Sequence, residues 1–159
     1  MTVLTSDHLK VTKELALQSP CTRRRYGCLI TNGKDTIVTA NLRVSKCCNG
    51  FCVRDTAGFK HGEAVDVGAE IHAEQAALVK WSHPVDKNTK LLVQGYHGKS
   101  EELFYDKDLY PCHVCALMIK YAGFKFINVT NPSGDIYSVS IDEIIEYREK
   151  AWGSYLIDA

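Results

Sequence analysis

The sequence has no excess charge of either sign. Nineteen Lys and Arg stand against nineteen Asp and Glu, a formal net charge of zero. Long nucleic acids are bound mainly through their phosphates, so a chain without a basic excess is a poor match for such a partner. No apolar run approaches the roughly 18 residues that a membrane helix needs, which argues against a membrane partner. Met1 to Lys10 lack the charged-then-apolar pattern of a secretory signal. Low-complexity tracts, internal repeats and a dividing linker are also missing. The 159 residues are therefore read as one domain, 1–159, long enough to bury a core without disulfides. Cysteines number seven, an odd count in a chain of ordinary domain size. That suits a reducing, cytoplasmic setting with metal-bound or free thiols better than a disulfide scaffold. Asn128-Val129-Thr130 is a formal glycosylation sequon that carries no meaning in such a setting.

Residues 5–18 read as a helix that Ser6 or Asp7 can cap and Pro20 ends. Tyr26 to Thr31 is an apolar strand, Asn32-Gly33 a hairpin turn, and Thr36 to Asn41 the antiparallel partner. Residues 43–68 are rich in Gly and Cys without a clear period, and read as a long ordered loop. Ala69 to Trp81 is expected to be helical with Ala76, Ala77 and Leu78 buried. Leu91 to Tyr96 is a strand, 97–109 a polar, acidic loop, and Cys112 to Ala122 a helix that Gly123 stops. Its inward residues are read as Ala116, Leu117 and Ile119. Phe124 to Thr130 is a strand, Asn131 to Gly134 a turn, and Ile136 to Val139 a short edge strand. Ser140 caps a final helix to about residue 151, with Ile141, Ile144 and Ile145 on one face. Helices alternating with the later strands imply an α/β fold, a mixed sheet covered on both faces, with right-handed crossovers.

The chemistry concentrates in two stretches, Ile71-His72-Ala73-Glu74 and Pro111-Cys112-His113-Val114-Cys115. Cys112 and Cys115 are three apart, so on a helix they share a face and can hold one ion. Pro111 suits the start of that helix, where free N–H groups and the helix dipole favour thiolate sulfur. His72 and Glu74 are two apart and converge only where the chain enters a helix from an extended segment. Three ligands, His72, Cys112 and Cys115, leave a fourth position open, as in a catalytic rather than a structural zinc site. A His-x-Glu followed by Pro-Cys-x-x-Cys is the signature of zinc-dependent deaminases. Zinc there makes hydroxide available near neutral pH. Glu74 is the candidate to take a proton from water and deliver it to the ring nitrogen and the departing ammonia. The competing reading is a structural Cys-x-x-Cys site with an unrelated His, which would normally show a fourth protein ligand nearby. His113 is read as a supporting or surface group rather than a ligand.

With these residues in view, the chain resembles the cytidine and deoxycytidylate deaminase superfamily over about residues 20–130, and looks most like the deoxycytidylate deaminases. The resemblance rests on Cys21-Thr22-Arg23-Arg24-Arg25-Tyr26-Gly27-Cys28, on Asn41 at the end of the second strand, on the Cys-containing insert 47–63 ahead of Ile71-His72-Ala73-Glu74, and on the whole of Pro111 to Gly123. It implies a three-layer α/β/α sandwich around a mixed five-stranded sheet. It also implies zinc on His72, Cys112 and Cys115, with Glu74 as proton shuttle. The backbone of Ala73 would then meet the base, Asn41 the sugar, and Arg23 or Arg25 the 5′-phosphate of a small pyrimidine nucleotide. Tyr110 stands at the pocket position before Pro-Cys. Relatives of this kind usually assemble, so a homo-oligomer is expected.

Several positions depart from the family pattern. Thr39-Ala40-Asn41-Leu42 replaces Gly-Tyr-Asn-Gly, Ala76 replaces an Asn, Tyr110 replaces a Thr or Ser, and the loop Gly98 to Leu109 is longer. They leave the chemistry intact and leave open the substrate: deoxycytidylate, a 5-substituted form, a free nucleoside or another pyrimidine. Some deaminases of this kind carry a second, structural zinc, for which Cys21, Cys47, Cys48, Cys52, His61 and His97 are the available ligands. A long loop gains from such a staple, although free thiols are the alternative. Two other functions compete with the small-molecule enzyme. One is an editing deaminase on tRNA or single-stranded DNA, which would need a basic, aromatic-lined surface and is opposed by Glu101, Glu102, Asp106 and Asp108. The other is an inactive zinc-binding scaffold, which would have no need of Glu74.

Overall fold

The structure, a computed structural model, describes residues 1–21, 23–43 and 70–152. Helix α1 (Ser6–Ala16) opens the chain. Its cap is Thr5 rather than Ser6 or Asp7, and the Thr5 amide donates to His8 Nδ1 at 2.9 Å. The amides of Gln18 and Ser19 bond back to Leu15 and Ala16, so the helix unwinds through a turn before Pro20. Strand β1 (Arg24–Thr31) and strand β2 (Thr36–Ala40) form the expected hairpin, with Thr31 opposite Thr36. The turn between them spans 32–35. Asn32 Oδ1 accepts from the amides of Lys34 and Asp35, and Gly33 takes φ 91°, a conformation that glycine adopts without a steric cost.

Two very short strands, β3 (Leu42–Arg43) and β4 (Glu70–Ile71), pair antiparallel as a separate ribbon. Helix α2 (Ala73–Lys80) therefore begins at Ala73 and not at Ala69: the ribbon holds Glu70 and Ile71 extended. Strand β5 (Lys90–His97) follows. A 3-10 turn at Asp106–Leu109 then leads to helix α3 (His113–Tyr121), strand β6 (Phe126–Thr130), strand β7 (Ile136–Ser140) and helix α4 (Ile141–Glu149). Ser140 takes the N-cap position of α4 as expected, without a side-chain bond to the helix.

The main sheet has five strands in the order β2-β1-β5-β6-β7. β5 and β6 run parallel, and the other neighbours antiparallel, so the sheet is mixed as anticipated. Side-chain alternation divides its two faces. Leu29 and Leu92, cross-strand partners that are fully buried, belong to the α1 face, where Gly27 also meets Thr12 and Ala16. Cys28, Ile30, Leu91 and Val93 belong to the opposite face, in one cluster with Ala73 and Ala77 of α2, Ala116 and Ile119 of α3, and Ile141 and Ile144 of α4. One helix on one side and three on the other complete a three-layer α/β/α sandwich. Two buried polar side chains of the sheet are paired: Gln94 Nε2 donates to Thr130 Oγ1 at 3.0 Å, and Asn128 Nδ2 donates to the Leu91 carbonyl at 3.1 Å. Asn128 is thus a sheet residue, only 6% exposed, and not a surface sequon.

Two burial expectations change. Leu78 is half-buried, packed against the core, and Leu117 is 44% exposed. α3 buries Cys115, Ala116 and Ile119, leaving Val114, Leu117 and Tyr121 outward. Phe124 is buried but precedes β6, which starts at Phe126. Among the described residues no helix is long and apolar enough to cross a membrane.

Gly27 marks the closest approach of α1 to the sheet. A Cβ there would sit 2.5 Å from the Thr12 carbonyl oxygen and 3.2 Å from Ala16 Cβ. Backbone cannot yield to that without α1 moving. Gly27→Ala is expected to destabilise the fold by about 1–3 kcal/mol, read as a lowered urea midpoint at unchanged slope. An unchanged midpoint would show that α1 is not seated as described.

Candidate metal centre

Two helix N-termini meet on the α2/α3 face of the sheet. His72 is the N-cap of α2 (φ −65°, ψ 150°) and Cys112 the N-cap of α3 (φ −62°, ψ 165°), so both are extended residues one step ahead of a helix. At His72 the β3–β4 ribbon enforces this. The His72 amide then donates to Gln75 Oε1 at 3.0 Å, and its carbonyl accepts the first helical bond from Ala76. The preceding Pro111 is buried and outside the helix, and its ring holds Tyr110 before it in extended backbone (φ −65°, ψ 130°), so the helix cannot run further back. Cys115 follows in the first turn of α3, and α2 packs directly on α3.

The result is a cluster in which His72 Nδ1 lies 3.2 Å from Cys115 Sγ and 3.5 Å from Cys112 Sγ, with all three atoms within 4.8 Å of one another. An ion about 2.3 Å from sulfur and about 2.0 Å from nitrogen, in a tetrahedron, would separate N from S by about 3.5 Å. One imidazole and two thiols at these spacings therefore fit zinc. The site's own charges agree. Cys112 is lowered to about 4, chiefly because Cys115 donates a hydrogen bond to it and His72 adds to the effect, against the opposing penalty of burial. Cys115 is raised, first by that same bond and then by burial. His72 is raised, mainly by its bond to Cys112. One sulfur is thus a thiolate whose neighbour holds a proton that a cation would displace.

Glu74, in the first turn of α2, is 5% exposed. Burial pushes its carboxyl pKa up, His72 opposes that, and Cys112 reinforces it. Cys28 and Tyr26 of β1 are close enough to feel its charge. Strand parity sets this wall: Arg24, Tyr26 and Cys28 share the face that carries α2 and α3.

The remaining site residues fall in several places. Asn41 is buried at the end of β2. Its Oδ1 accepts from the Tyr26 amide at 2.9 Å, and its Nδ2 donates to the Arg24 carbonyl at 3.0 Å and to Glu70 Oε2 at 3.3 Å. Ala73 is fully buried, and its carbonyl accepts from Thr39 Oγ1 at 2.7 Å. Arg23 is half-buried just before β1, and its carbonyl accepts from the Gly98 amide at 2.8 Å. Arg25 has the parity of the α1 face, away from Glu74. Its guanidinium donates to the carbonyls of Leu17, His97 and Ser100. Tyr110 is half-buried with its ring edge-on to Tyr147 at 5.5 Å. For the second zinc, Cys47, Cys48, Cys52 and His61 lie outside the described residues. Cys21 is buried beside Ser19, and His97 is an exposed residue 3.8 Å from Glu102. Neither joins His72, Cys112 and Cys115, the one metal-capable group among the described residues.

The acidic loop 98–109 is more tightly fastened than its composition suggests. The His97 amide donates to Glu102, the Phe104 amide to Gly95, and the Tyr26 hydroxyl to the Asp108 carbonyl. Phe104 stacks on Tyr26 at 5.9 Å between ring centres, and Arg24 covers Phe104 at 4.4 Å. Gly95 makes room for this, since a Cβ there would come within 2.6 Å of the Tyr26 ring. The loop borders a cleft of about 750 Å³ lined by Arg24, His97, Glu101, Glu102, Asp106 and Asp108 among others. Sequence reasoning missed Arg24, Tyr26, Cys28 and Thr39, and the alternation along β1 was the signal available for the first three.

No family model matches this sequence, and no curated protein matches it. The fold is α/β, a mixed five-stranded sheet with helices on both faces. It is similar to a 1.6 Å crystal structure of cytidine deaminase from Burkholderia pseudomallei, with a TM-score of 0.55 and 14% identity, covering 89% of this chain and 96% of that one. At that identity the likeness concerns the fold.

The thiols separate by reactivity in a way that pH reveals. Thiolate, not thiol, reacts with alkylating agents. With Cys112 lowered to about 4, its alkylation in metal-free protein should be flat between pH 6 and 8. Burial raises Cys21 to about 11, so its rate should be slow and should climb about tenfold per pH unit over that range. Peptide-resolved mass spectrometry after iodoacetamide checks both. A Cys112 rate that climbs like that of Cys21 would contradict the described arrangement.

Proposed function

We propose that the protein is a zinc-dependent hydrolase that removes the exocyclic amino group of a pyrimidine nucleotide, with deoxycytidylate or a 5-substituted deoxycytidylate as substrate. One water is consumed, and the uracil counterpart and one ammonia are released. The observation that carries this reading is the convergence of His72 Nδ1, Cys112 Sγ and Cys115 Sγ within 4.8 Å beside a buried carboxyl, Glu74. The fold's likeness to a cytidine deaminase supports it.

His72, Cys112 and Cys115 would hold the ion. Zinc, when bound, acts as a Lewis acid that brings the pKa of water down to near 7. Glu74 accepts a proton from the attacking water at a carboxylate oxygen, passes it to ring N3, and then serves the departing amino nitrogen. Its raised pKa suits both halves of that task, because a carboxyl nearer the working pH gives and takes protons with similar ease. Thr39 fixes the Ala73 peptide by its 2.7 Å bond, and we assign that backbone to the base. Asn41 is assigned to the sugar and Arg23 to the 5′-phosphate. The carboxylates lining the loop cleft favour a small substrate over an extended nucleic acid.

Glu74→Gln should retain zinc while kcat falls by about 10²–10⁴-fold. Metal content together with ammonia release on deoxycytidine, its monophosphate, the 5-substituted monophosphates and cytidine checks this. Turnover near wild type removes Glu74 from the mechanism. No ammonia from any of these substrates by the zinc-loaded wild type sinks the enzymatic reading. Arg23→Ala should raise KM for the monophosphate at least tenfold more than for the nucleoside, since a charge-assisted phosphate contact is lost only for the former. Equal effects on both would reject the assignment.

A further inference from the structure

The carbonyl oxygens of Tyr110 and Pro111 lie immediately ahead of the Cys112 cap, where no helical ladder can use them. One side chain serves both. Arg148, in the last turn of α4, donates from Nη2 to the Tyr110 carbonyl at 2.6 Å and from Nε to the Pro111 carbonyl at 2.9 Å. Its neighbour Glu149 meets His113 Nε2 at 3.2 Å, so consecutive residues of α4 hold the chain on both sides of Cys112. The bracket has a firm base. Ile141 and Ile144 seat α4 in the core and α4 packs on α3, while Tyr147 lies 5.5 Å from the Arg148 guanidinium and 5.5 Å from the Tyr110 ring.

We propose that Arg148 is a positioning residue for Cys112: its two-pronged bond to the Tyr110–Pro111 backbone fixes the extended cap from which the sulfur reaches the metal. This rests on the reading of His72, Cys112 and Cys115 as a zinc site. Groups that orient a metal ligand from behind commonly account for about 10–100-fold in metal affinity. A guanidinium is suited to the task because it presents several donors in a planar fork. The ammonium of a lysine offers its donors from a single nitrogen on a flexible stem, so it cannot reproduce the planar two-nitrogen fork.

The test uses the full chain stripped of metal and titrated with Co(II) alone. Absorption is followed in the d–d and thiolate charge-transfer bands, which report a tetrahedral site with two sulfurs. Arg148→Met keeps the apolar stem beside Tyr147 and removes both donors. The expected result is a Co(II) Kd raised about 10–100-fold and weakened d–d bands, with the urea midpoint of the metal-free protein close to wild type. Arg148→Lys should fall between the two. Wild-type affinity and spectrum in Arg148→Met overturn the proposal, and so does a loss of affinity that merely follows a loss of metal-free stability. If Arg148→Met does not fold, Arg148→Lys decides by the same two criteria. A wild-type protein that takes up no Co(II) or zinc instead overturns the zinc reading beneath, and that result is visible before any variant is made.

Discussion

A helix cap must be extended while the residue after it is already helical, and this chain meets that demand twice at one place. His72 and Cys112 each stand at such a corner, with ψ of 150° and 165°. Packing α2 on α3 brings the two corners together. The geometry does three things at once. It turns the imidazole and the sulfur off the helix axes and toward each other. It sets Cys115 in the next turn behind Cys112. It also gathers the unsatisfied N–H groups of two helices around the sulfurs, where their partial positive charge favours thiolate. A regular helix through residue 72 would have carried His72 and Glu74 to different sides.

The metal-capable cluster of His72, Cys112 and Cys115 was legible because its chemistry is local. A Cys-x-x-Cys at a helix start and a His-x-Glu at another mark two thiols, an imidazole and a carboxyl through spacing alone, and the order of the main strands and helices followed from periodicity. What lay beyond the sequence was long-range pairing. Glu70 and Ile71 have no pattern that separates a helix start from a strand. They are extended because Leu42 and Arg43 lie across from them. Arg24 could not be told from Arg23 or Arg25 until the start of β1 fixed its parity. α3 is apolar nearly all round, so Leu117 was an equal candidate for the inside. The sheet is reached through Ala116 and Ile119 instead. Thr39, a departure from the family pattern, gains its meaning only from the Ala73 carbonyl 2.7 Å away.

The long acidic loop illustrates the same division. Its composition suggests a solvated segment, yet Tyr26, Phe104 and Asp108 tie it to β1, and Tyr137 binds Asp106 Oδ1 at 2.6 Å. Its carboxylates face a cleft that Arg24 also borders. The electrostatic character of that cleft is thus set by a scaffolded wall rather than by a mobile flap, and a ligand there would meet fixed charges instead of inducing them.

β5 lies between β1 and β6, and every residue from Leu91 to Tyr96 is buried. Amide protons there can reach solvent only when the sheet itself comes apart, whereas those of the edge strands β2 and β7 can be released by local fraying. Deuterium uptake along β5 therefore measures the free energy of the whole fold, and uptake at Ala116, whose amide bonds the Cys112 carbonyl, measures opening at the cysteine cap. The molecule thus carries separate gauges for losing its architecture and for loosening the cap at its cysteine pair.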